Sequence, residues 1–445
     1  MDKEYWKDAA YRNLSIYLVK YVKKDPVHNI DKLAELLHKF VMNEPAKNAL
    51  ENIRKAIIND PNLKEYFVRV FKETHENYLK CFLINLLVRS GLINSSKREN
   101  EAQKLGANIP FTILIDPTEA CNLRCKGCWA GKYDINVMPF DLLNRILNEA
   151  KALGINFIVL SGGEPTTYPY LFDLAAKHRD LAFMMYTNGT LIDEKMVEKL
   201  LKTGNISPVI SLEGWEKETD GRRGSGVFQR IMRSMDLLKE NGVPFGYSVT
   251  TTSYNYQELF SDDFVKFMIN KGVLYGWSFH YIPVGRQPDY SFMVTPAQRK
   301  WLVERVKEIR SKYPLVFYDF WNDGELTKGC IAGGRQYFHI TANGDVEPCA
   351  FVHFKCDNIK DKPLKDVLGN KVFRAYQKYQ PVSDNYLRPC PIIDKPEILR
   401  KIVKESDAVP SYEDAVNILQ GEGADFLDNL SAQWEKVSEE LLRKD

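Results

Sequence analysis

The chain is poor in several features that would settle its class quickly. Its 445 residues carry 61 Lys and Arg against 59 Asp and Glu, a formal net charge of +2. That balance excludes the broad basic surface on which duplex binding depends, so no nucleic-acid partner is expected. The longest apolar runs, such as residues 81–88, fall far short of the roughly 20 residues that span a bilayer. The opening Met-Asp-Lys-Glu-Tyr-Trp lacks the basic-then-apolar layout of a signal peptide, which makes the cytoplasm the expected location. No strand-Gly-Lys-Ser/Thr phosphate loop is present. What remains is an ordinary globular composition, 44% hydrophobic and 27% charged, which excludes a disordered or fibrous chain.

Cysteine is scarce but unevenly spent. Of eight, Cys121, Cys125 and Cys128 crowd into eight residues, Cys330, Cys349, Cys356 and Cys390 follow late, and Cys81 stands alone. In a reducing compartment, clustered thiols bind metal or do chemistry more often than they form disulfides. Cys81 lies in an apolar helical stretch and reads as a packing residue.

Residues 1–105 read as a helical extension. Asp60-Pro61 resembles a cap followed by a first-turn proline, and Phe67, Val70, Phe71, Tyr78, Phe82 and Leu86 fall near one stripe, as do Leu33, Leu36, Leu37 and Phe40. That aromatic, aliphatic face is expected to pack on the rest of the protein. Residues 94–103 read as a linker. From 106 to 320 short apolar runs at 111–115, 157–160, 182–186, 208–212, 245–250 and 277–282 alternate with helical patterns at 140–153, 194–203, 228–240, 260–271 and 296–313. Such alternation predicts an α/β fold with a parallel sheet, here a partial (β/α)6 barrel, whose chemistry gathers on the loops after the strands. A small metal-stapled module is expected over 321–395 and a helical tail over 396–445, broken at Gly421-Glu422-Gly423.

The segment Cys121-Asn-Leu-Arg-Cys125-Lys-Gly-Cys128-Trp129 follows the first strand directly. Thiolates spaced CxxxCxxC can wrap three corners of a cubane 4Fe-4S cluster and leave one iron open. A structural zinc site is the alternative, but it wants four closed ligands, and the next histidine along the chain, His178, is about fifty residues on.

This segment resembles the signature of the radical S-adenosylmethionine (SAM) superfamily, and the likeness runs on along residues 110–315. Ser161-Gly162-Gly163-Glu164-Pro165 after the second strand is similar to the family's GGEP motif, Thr187-Asn188-Gly189 to its usual turn after the third, and Ser211 sits where the family often contacts SAM. The resemblance implies that Cys121, Cys125 and Cys128 bind the cluster and that SAM chelates the open iron. One-electron reduction then yields a 5′-deoxyadenosyl radical that takes hydrogen from a substrate. Gly162 and Gly163 would admit backbone close to the ligand, and Glu164 would accept from its amine. One departure stands out: Gly127 occupies the position before the third cysteine, where the family often has an aromatic residue, and Trp129 follows instead.

Cys330, thirteen residues, Gly344, four residues, Cys349 is similar to the opening of the SPASM and Twitch extensions that carry auxiliary clusters. With Cys356 and Cys390 it implies one auxiliary 4Fe-4S cluster with full cysteine ligation. A four-cysteine zinc site is again the alternative. Asn343-Gly344-Asp345 reads as a hairpin turn, and His339 and His353 as packed histidines. On the substrate side, Gly221-Arg222-Arg223-Gly224-Ser225-Gly226 reads either as an anion-holding loop led by Arg222 or as an exposed flexible one. Ser248, Thr250, His280 and Tyr281 are candidates to face SAM or substrate, and alternation admits half of them.

The resemblance points to the group containing molybdenum-cofactor, heme-modifying and peptide-modifying enzymes. A peptide side chain is the favoured substrate, with a lipid chain or another small molecule, a cofactor precursor, as alternatives, and a flavodoxin- or ferredoxin-like protein as electron donor. The reading from another class is a zinc-stapled binding protein without turnover.

Overall fold

Seven short strands alternate with helices in the middle of the chain: β1 Thr112–Ile115, β2 Phe157–Leu160, β3 Ala182–Thr187, β4 Ile206–Leu212, β5 Gly246–Thr251, β6 Tyr275–His280 and β7 Val316–Asp319. They lie side by side in chain order, every pair parallel. In this computed structural model, which describes residues 13, 16–40, 44–130 and 136–443, the arrangement is the incomplete parallel α/β barrel expected, with one strand more than six. β7 is only four residues long and alternates in burial, with Tyr318 exposed, so it makes no apolar run.

The helices Phe140–Ala152, Glu194–Thr203, Val227–Glu240, Asp262–Asn270 and Pro296–Lys312 bury one stripe each, for example Ile231, Met235 and Leu238. They cover one face of the sheet, where Tyr247 and Phe317 meet Phe264 and Phe260. Side chains alternate along a strand, so the neighbouring positions take the other face. Ser211, Ser248, Trp277 and Tyr318 stand level there, in register from β4 to β7.

Past β1 the sheet continues. β8 His339–Ile340 pairs parallel with β1, and β9 Asp345–Glu347 returns antiparallel beside it through the Asn343-Gly344 turn. β10 Phe354–Lys355 pairs with β12 Val409–Pro410, and β11 Asp357–Asn358 with β9. The cysteine-rich C-terminal segment is thus grafted onto the sheet edge that begins at β1. The tail helix Gly421–Leu442 packs back on the Pro296–Lys312 helix, where the Arg299 guanidinium lies over Trp434 at 4.4 Å.

The amino-terminal helices close the opposite end. Asp60 caps the helix Pro61–Glu73 by accepting from the Asn62 and Leu63 amides. A 15-residue π-helix, Leu79–Ile93, follows. Asn94 Nδ2 reaches Asn156 Oδ1 before β2, and Asn85 Nδ2 reaches Arg179 O and Leu181 O before β3. Asn77 Nδ2 reaches Leu201 O before β4, the His75 amide reaches Gly242 O before β5, and Arg69 reaches Val273 O and Pro314 O before β6 and β7. Every acceptor lies in a turn or a helix end that leads into a strand, so the extension plugs the end of the barrel away from the cysteine loop. Tyr78 and Phe82 are buried in the main core behind it. The side chains of Leu36, Leu37 and Phe40 lie outside the described residues. Residues 94–103 are not a linker: Ser95–Leu105 is a helix ended by left-handed Gly106. Its polar composition hides it because none of its side chains is fully buried. Among the described residues no helix is long and apolar enough to cross a membrane.

Candidate active site

The loop after β1 carries Cys121, Cys125 and Cys128, and backbone from three other strand ends holds it. The Gly163 amide donates to Thr118 O at 2.9 Å and the Glu164 amide to Ala120 O at 2.8 Å. A Cβ on Gly162 would come within 2.4 Å of Thr118 O, and one on Gly163 within 2.3 Å of Ala120 O and Glu119 O. The glycine pair therefore lets the β2 loop and the cysteine loop touch backbone to backbone. From the other side, the Lys126 amide donates to Arg222 O at 3.0 Å, and the Arg286 amide donates to Cys128 O at 2.9 Å.

Arg222 is not on a free glycine-rich loop. Glu216–Arg223 is a helix, and the guanidinium is fully engaged. It donates to Lys126 O (3.1 Å) and Gly127 O (3.2 Å) of the cysteine loop, to Thr250 Oγ1 (3.0 Å) and to Glu213 Oε1 (2.5 Å). Arg223 takes the same Glu213 oxygen at 2.6 Å. Both arginines lie beside a nearly fully buried carboxylate, and Arg222 bolts β4, β5 and the cysteine loop together.

Glu164 and Asn188 form a second bolt. Glu164 is 1% exposed. Its Oε1 accepts from Thr166 N, Thr166 Oγ1 and Thr187 Oγ1, and its Oε2 from the Asn188 amide at 2.7 Å. Burial still pushes this carboxyl's pKa up against those bonds. Asn188 Nδ2 donates to Asn122 Oδ1 at 2.8 Å, and Asn122 Nδ2 to Thr190 Oγ1 at 2.9 Å, tying the β3 turn to the residue after Cys121.

The thiols sit half-buried at Cys121 and Cys128 and buried at Cys125. Burial raises Cys121 to about 11 and also raises Cys125, against the pull of Arg223. Cys121 Sγ accepts from the Leu123 amide at 3.4 Å, and Cys121 and Cys125 each feel the Cys128 thiol. Such thiols become thiolates through iron, which displaces their protons. Among the described residues no three His, Cys, Asp or Glu side chains converge on a point fit for a single metal ion. A cubane asks for something else, separate iron corners each with its own thiolate, and three thiols on one pinned loop fit that demand.

Ser211 and Ser248 meet at 3.1 Å on the uncovered face, below the loop. Thr250 shares that face and takes Arg222. His280 does not: it points to the other side, stacked on Trp321 (5.7 Å, 7°) and 1% exposed. Tyr281 lies in the turn beyond β6, and its ring fills the space that a side chain at Gly127 would take, 2.9 Å from an ideal Cβ there. The space beside position 127 is thus taken by an aromatic ring from the turn after β6. Trp129 faces away, toward His339 (6.1 Å) and Phe351 (5.6 Å).

Sequence reasoning missed a buried polar chain beneath the loop. His339 on β8 bonds Asp116 Oδ2 at 2.9 Å and Glu347 Oε2 at 2.8 Å, and His353 lies 3.3 Å from that same Glu347 oxygen and 3.3 Å from Trp129 O. Burial alone would lower the His339 pKa, but Asp116 and Glu347 overcome it and raise it to about 10. Burial would raise Glu347, yet His353 and His339 bring it to about 2. The only hint in sequence was a pair of histidines flanking a strand-turn-strand pattern.

Of the four late cysteines, the structure gathers Cys330, Cys349 and Cys390, the last two each within electrostatic reach of Cys330. Cys356 stands apart, its Sγ donating to Ser406 O at 3.4 Å. Cys81 is half-buried, 3.4 Å from Arg179 Nη2 and 3.6 Å from Asn77 Oδ1, at the plugged end of the barrel.

Comparison with known proteins agrees with this division. Residues 115–267 match the radical SAM superfamily, and residues 330–391 match SPASM, an iron–sulfur cluster-binding domain. An AdoMet-dependent heme synthase of Methanosarcina barkeri is 28% identical over 60% of this chain and 84% of its own. A PqqA peptide cyclase of Granulibacter bethesdensis is 25% identical over 65% of this chain and 81% of its own. The crystal structure of Streptococcus suis SuiB bound to S-adenosylmethionine shares the fold, with a TM-score of 0.55 and 24% identity, over 67% of this chain and 76% of that one. A radical SAM domain binds a 4Fe-4S cluster and SAM, and a SPASM domain binds auxiliary iron–sulfur clusters. A zinc-stapled protein without turnover is overturned by these matches. The chain is a radical SAM enzyme with a SPASM domain behind its catalytic sheet.

Proposed function

We propose that the chain cleaves SAM reductively at a 4Fe-4S cluster held by Cys121, Cys125 and Cys128, and that the resulting 5′-deoxyadenosyl radical abstracts hydrogen from a peptide side chain. The observation that carries this reading is the pinning of one three-thiol loop by backbone from β2, β4 and β6, with no fourth cysteine or histidine on it. When bound, the cluster would supply the electron and an iron open to the amino and carboxylate groups of SAM. The chain supplies position. Arg222 holds the Lys126 and Gly127 carbonyls, the Gly162–Gly163 pair fixes the other flank, and Glu164 and Asn188 hold the β3 turn against Asn122. Ser211 and Ser248 present hydroxyls on the uncovered face, where SAM would lie. Holding the reacting atoms close and dry is the protein's share of such chemistry.

A peptide substrate is supported by the likeness to a peptide cyclase, and a reduced flavodoxin or ferredoxin would deliver the electron. A tetrapyrrole cofactor precursor is the second reading, favoured by the heme synthase likeness, whereas nothing here favours a lipid chain. The test is anaerobic. Reconstituted protein with dithionite and SAM should form 5′-deoxyadenosine, and deuterium should pass into it from a labelled peptide. Transfer from an iron porphyrin precursor in place of the peptide establishes the second reading. No 5′-deoxyadenosine from iron-loaded protein rejects both.

A further inference from the structure

The four late cysteines divide three and one. The Gly333 amide donates to Pro348 O at 2.9 Å, which lays the turn after Cys330 against the residue before Cys349. Gln380 Nε2 holds Cys330 O at 3.1 Å. The Cys390 amide donates to Asp394 Oδ2 at 2.9 Å, and Asp394 lies within electrostatic reach of Cys330 as well. Cys356 belongs to other surroundings, between Ser406 O and the start of the helix Lys371–Tyr379.

Two tyrosines complete the three-thiol pocket. Tyr337 Oη shares a hydrogen bond with Cys349 Sγ at 2.8 Å. Tyr376 is 0% exposed and packs on Gly333, where an ideal Cβ would lie 2.4 Å from Tyr376 Cβ. It lies within electrostatic reach of Cys330, Cys349 and Cys390 together. Its hydroxyl is buried and has no hydrogen-bond partner. A buried hydroxyl without a partner is costly, and three thiols beside it leave one corner of a cubane unclaimed. Of the other side-chain oxygens nearby, Tyr337 is committed to Cys349 and Asp394 to Arg299 and Cys390 N, while Gln380 Oε1, also without a partner, is a neutral amide oxygen and a weaker iron donor than a phenolate.

We propose that the auxiliary cluster is held by Cys330, Cys349 and Cys390, that its fourth iron takes the phenol oxygen of Tyr376, and that Cys356 is not a ligand. The inference rests on the SPASM domain binding iron and sulfide, not on the choice of substrate. Formation of the Fe–O bond releases the Tyr376 hydroxyl proton to solvent and moves no electron, just as each thiol gives up its proton to bind. An oxygen donor is harder than a thiolate and differentiates that iron from the other three.

The test is done in a Cys121→Ala, Cys125→Ala, Cys128→Ala background, so that all iron is auxiliary and the first cluster cannot confuse the count. Anaerobic reconstitution should leave about four irons per chain. Adding Cys356→Ala should keep them, and adding Cys349→Ala should lose them. Adding Tyr376→Phe should keep iron but remove the phenolate-to-iron absorption band and the distinct Mössbauer component of one site. Loss of iron in the Cys356 variant overturns the proposal. So does an unchanged absorption and Mössbauer spectrum in the Tyr376 variant, or no iron in the background itself. The Cys356 and Tyr376 variants carry the test whether or not the Cys349 variant folds.

Discussion

The two thiol sites of this protein are built in opposite ways. At the barrel mouth, three cysteines lie within eight residues of sequence, and the loop between them does the wrapping. In the C-terminal segment, Cys330, Cys349 and Cys390 are spread over 61 residues and come into one region only because β8 docks beside β1 and the turns at Gly333 and Asp394 fold inward. A local site depends on what clamps one loop, and a dispersed site on the packing of the whole segment. The first is poised for chemistry with an incoming ligand. The second is lined by two buried tyrosines, Tyr337 and Tyr376.

The sharpest way to break this contrast is to remove one thiol from each site. Cys125→Ala should abolish 5′-deoxyadenosine formation, whereas Cys349→Ala should retain SAM cleavage and stop product formation, both read by chromatography of anaerobic reactions. Equal loss in the two variants would mean that the sites act as one. Next in size is Gly163→Ala. Its Cβ would meet two carbonyl oxygens at 2.3 Å, and forcing backbone apart in a packed site costs about 1–3 kcal/mol. Iron should be lost from the first cluster while the auxiliary one stays, measured by iron content and low-temperature EPR.

Arg222→Ala should lower SAM cleavage more than it lowers stability. Arg223 still pairs with Glu213, so stability should fall by about 1–3 kcal/mol, but the Lys126 and Gly127 carbonyls lose their clamp. A variant with wild-type cleavage would remove Arg222 from the positioning machinery. His339 joins the two regions and titrates oppositely to its neighbour. Its folded pKa, near 10, lies above the unfolded value near 6.5. Its contribution to stability is therefore fully present below about pH 6.5 and is lost as pH rises toward 10. Glu347, near 2 when folded, contributes above about pH 4.5 and loses that as pH falls through 2. Melting temperature against pH should decline less steeply above neutrality in His339→Gln than in the unsubstituted protein. The smallest effect should come from the plugged end. Asn85→Ala removes two hydrogen bonds to the turn before β3, a loss of about 1–2 kcal/mol in stability, with the rate of SAM cleavage unchanged.

Much of the catalytic sheet was legible because alternation and apolar runs are local. β2 and the helix Glu194–Thr203 fall where the pattern puts them, and the motif residues Gly162, Gly163, Glu164 and Asn188 do meet the cysteine loop. β7 escaped because a four-residue strand with one exposed face makes no run, and Ser95–Leu105 because a helix on a polar surface lacks a stripe. Arg222 looked like a ligand's partner since a sequence records a charge but not the backbone carbonyls that surround it. His280 and Ser248 were indistinguishable until strand register decided which face each takes.

The order of residues alone determined that three thiols share one turn after a strand, because eight consecutive residues cannot travel far from one another. It also determined the parallel alternation, which period and length dictate. Tertiary structure alone decided that Tyr281 fills the space at Gly127, that Asp116, His339 and Glu347 share one proton-bearing cluster, and that Cys356 leaves its three companions. Most of these relations join residues far apart in sequence, Asp116 and His339 by 223 positions, and only the pairing of strands and the packing of their loops brings such groups together.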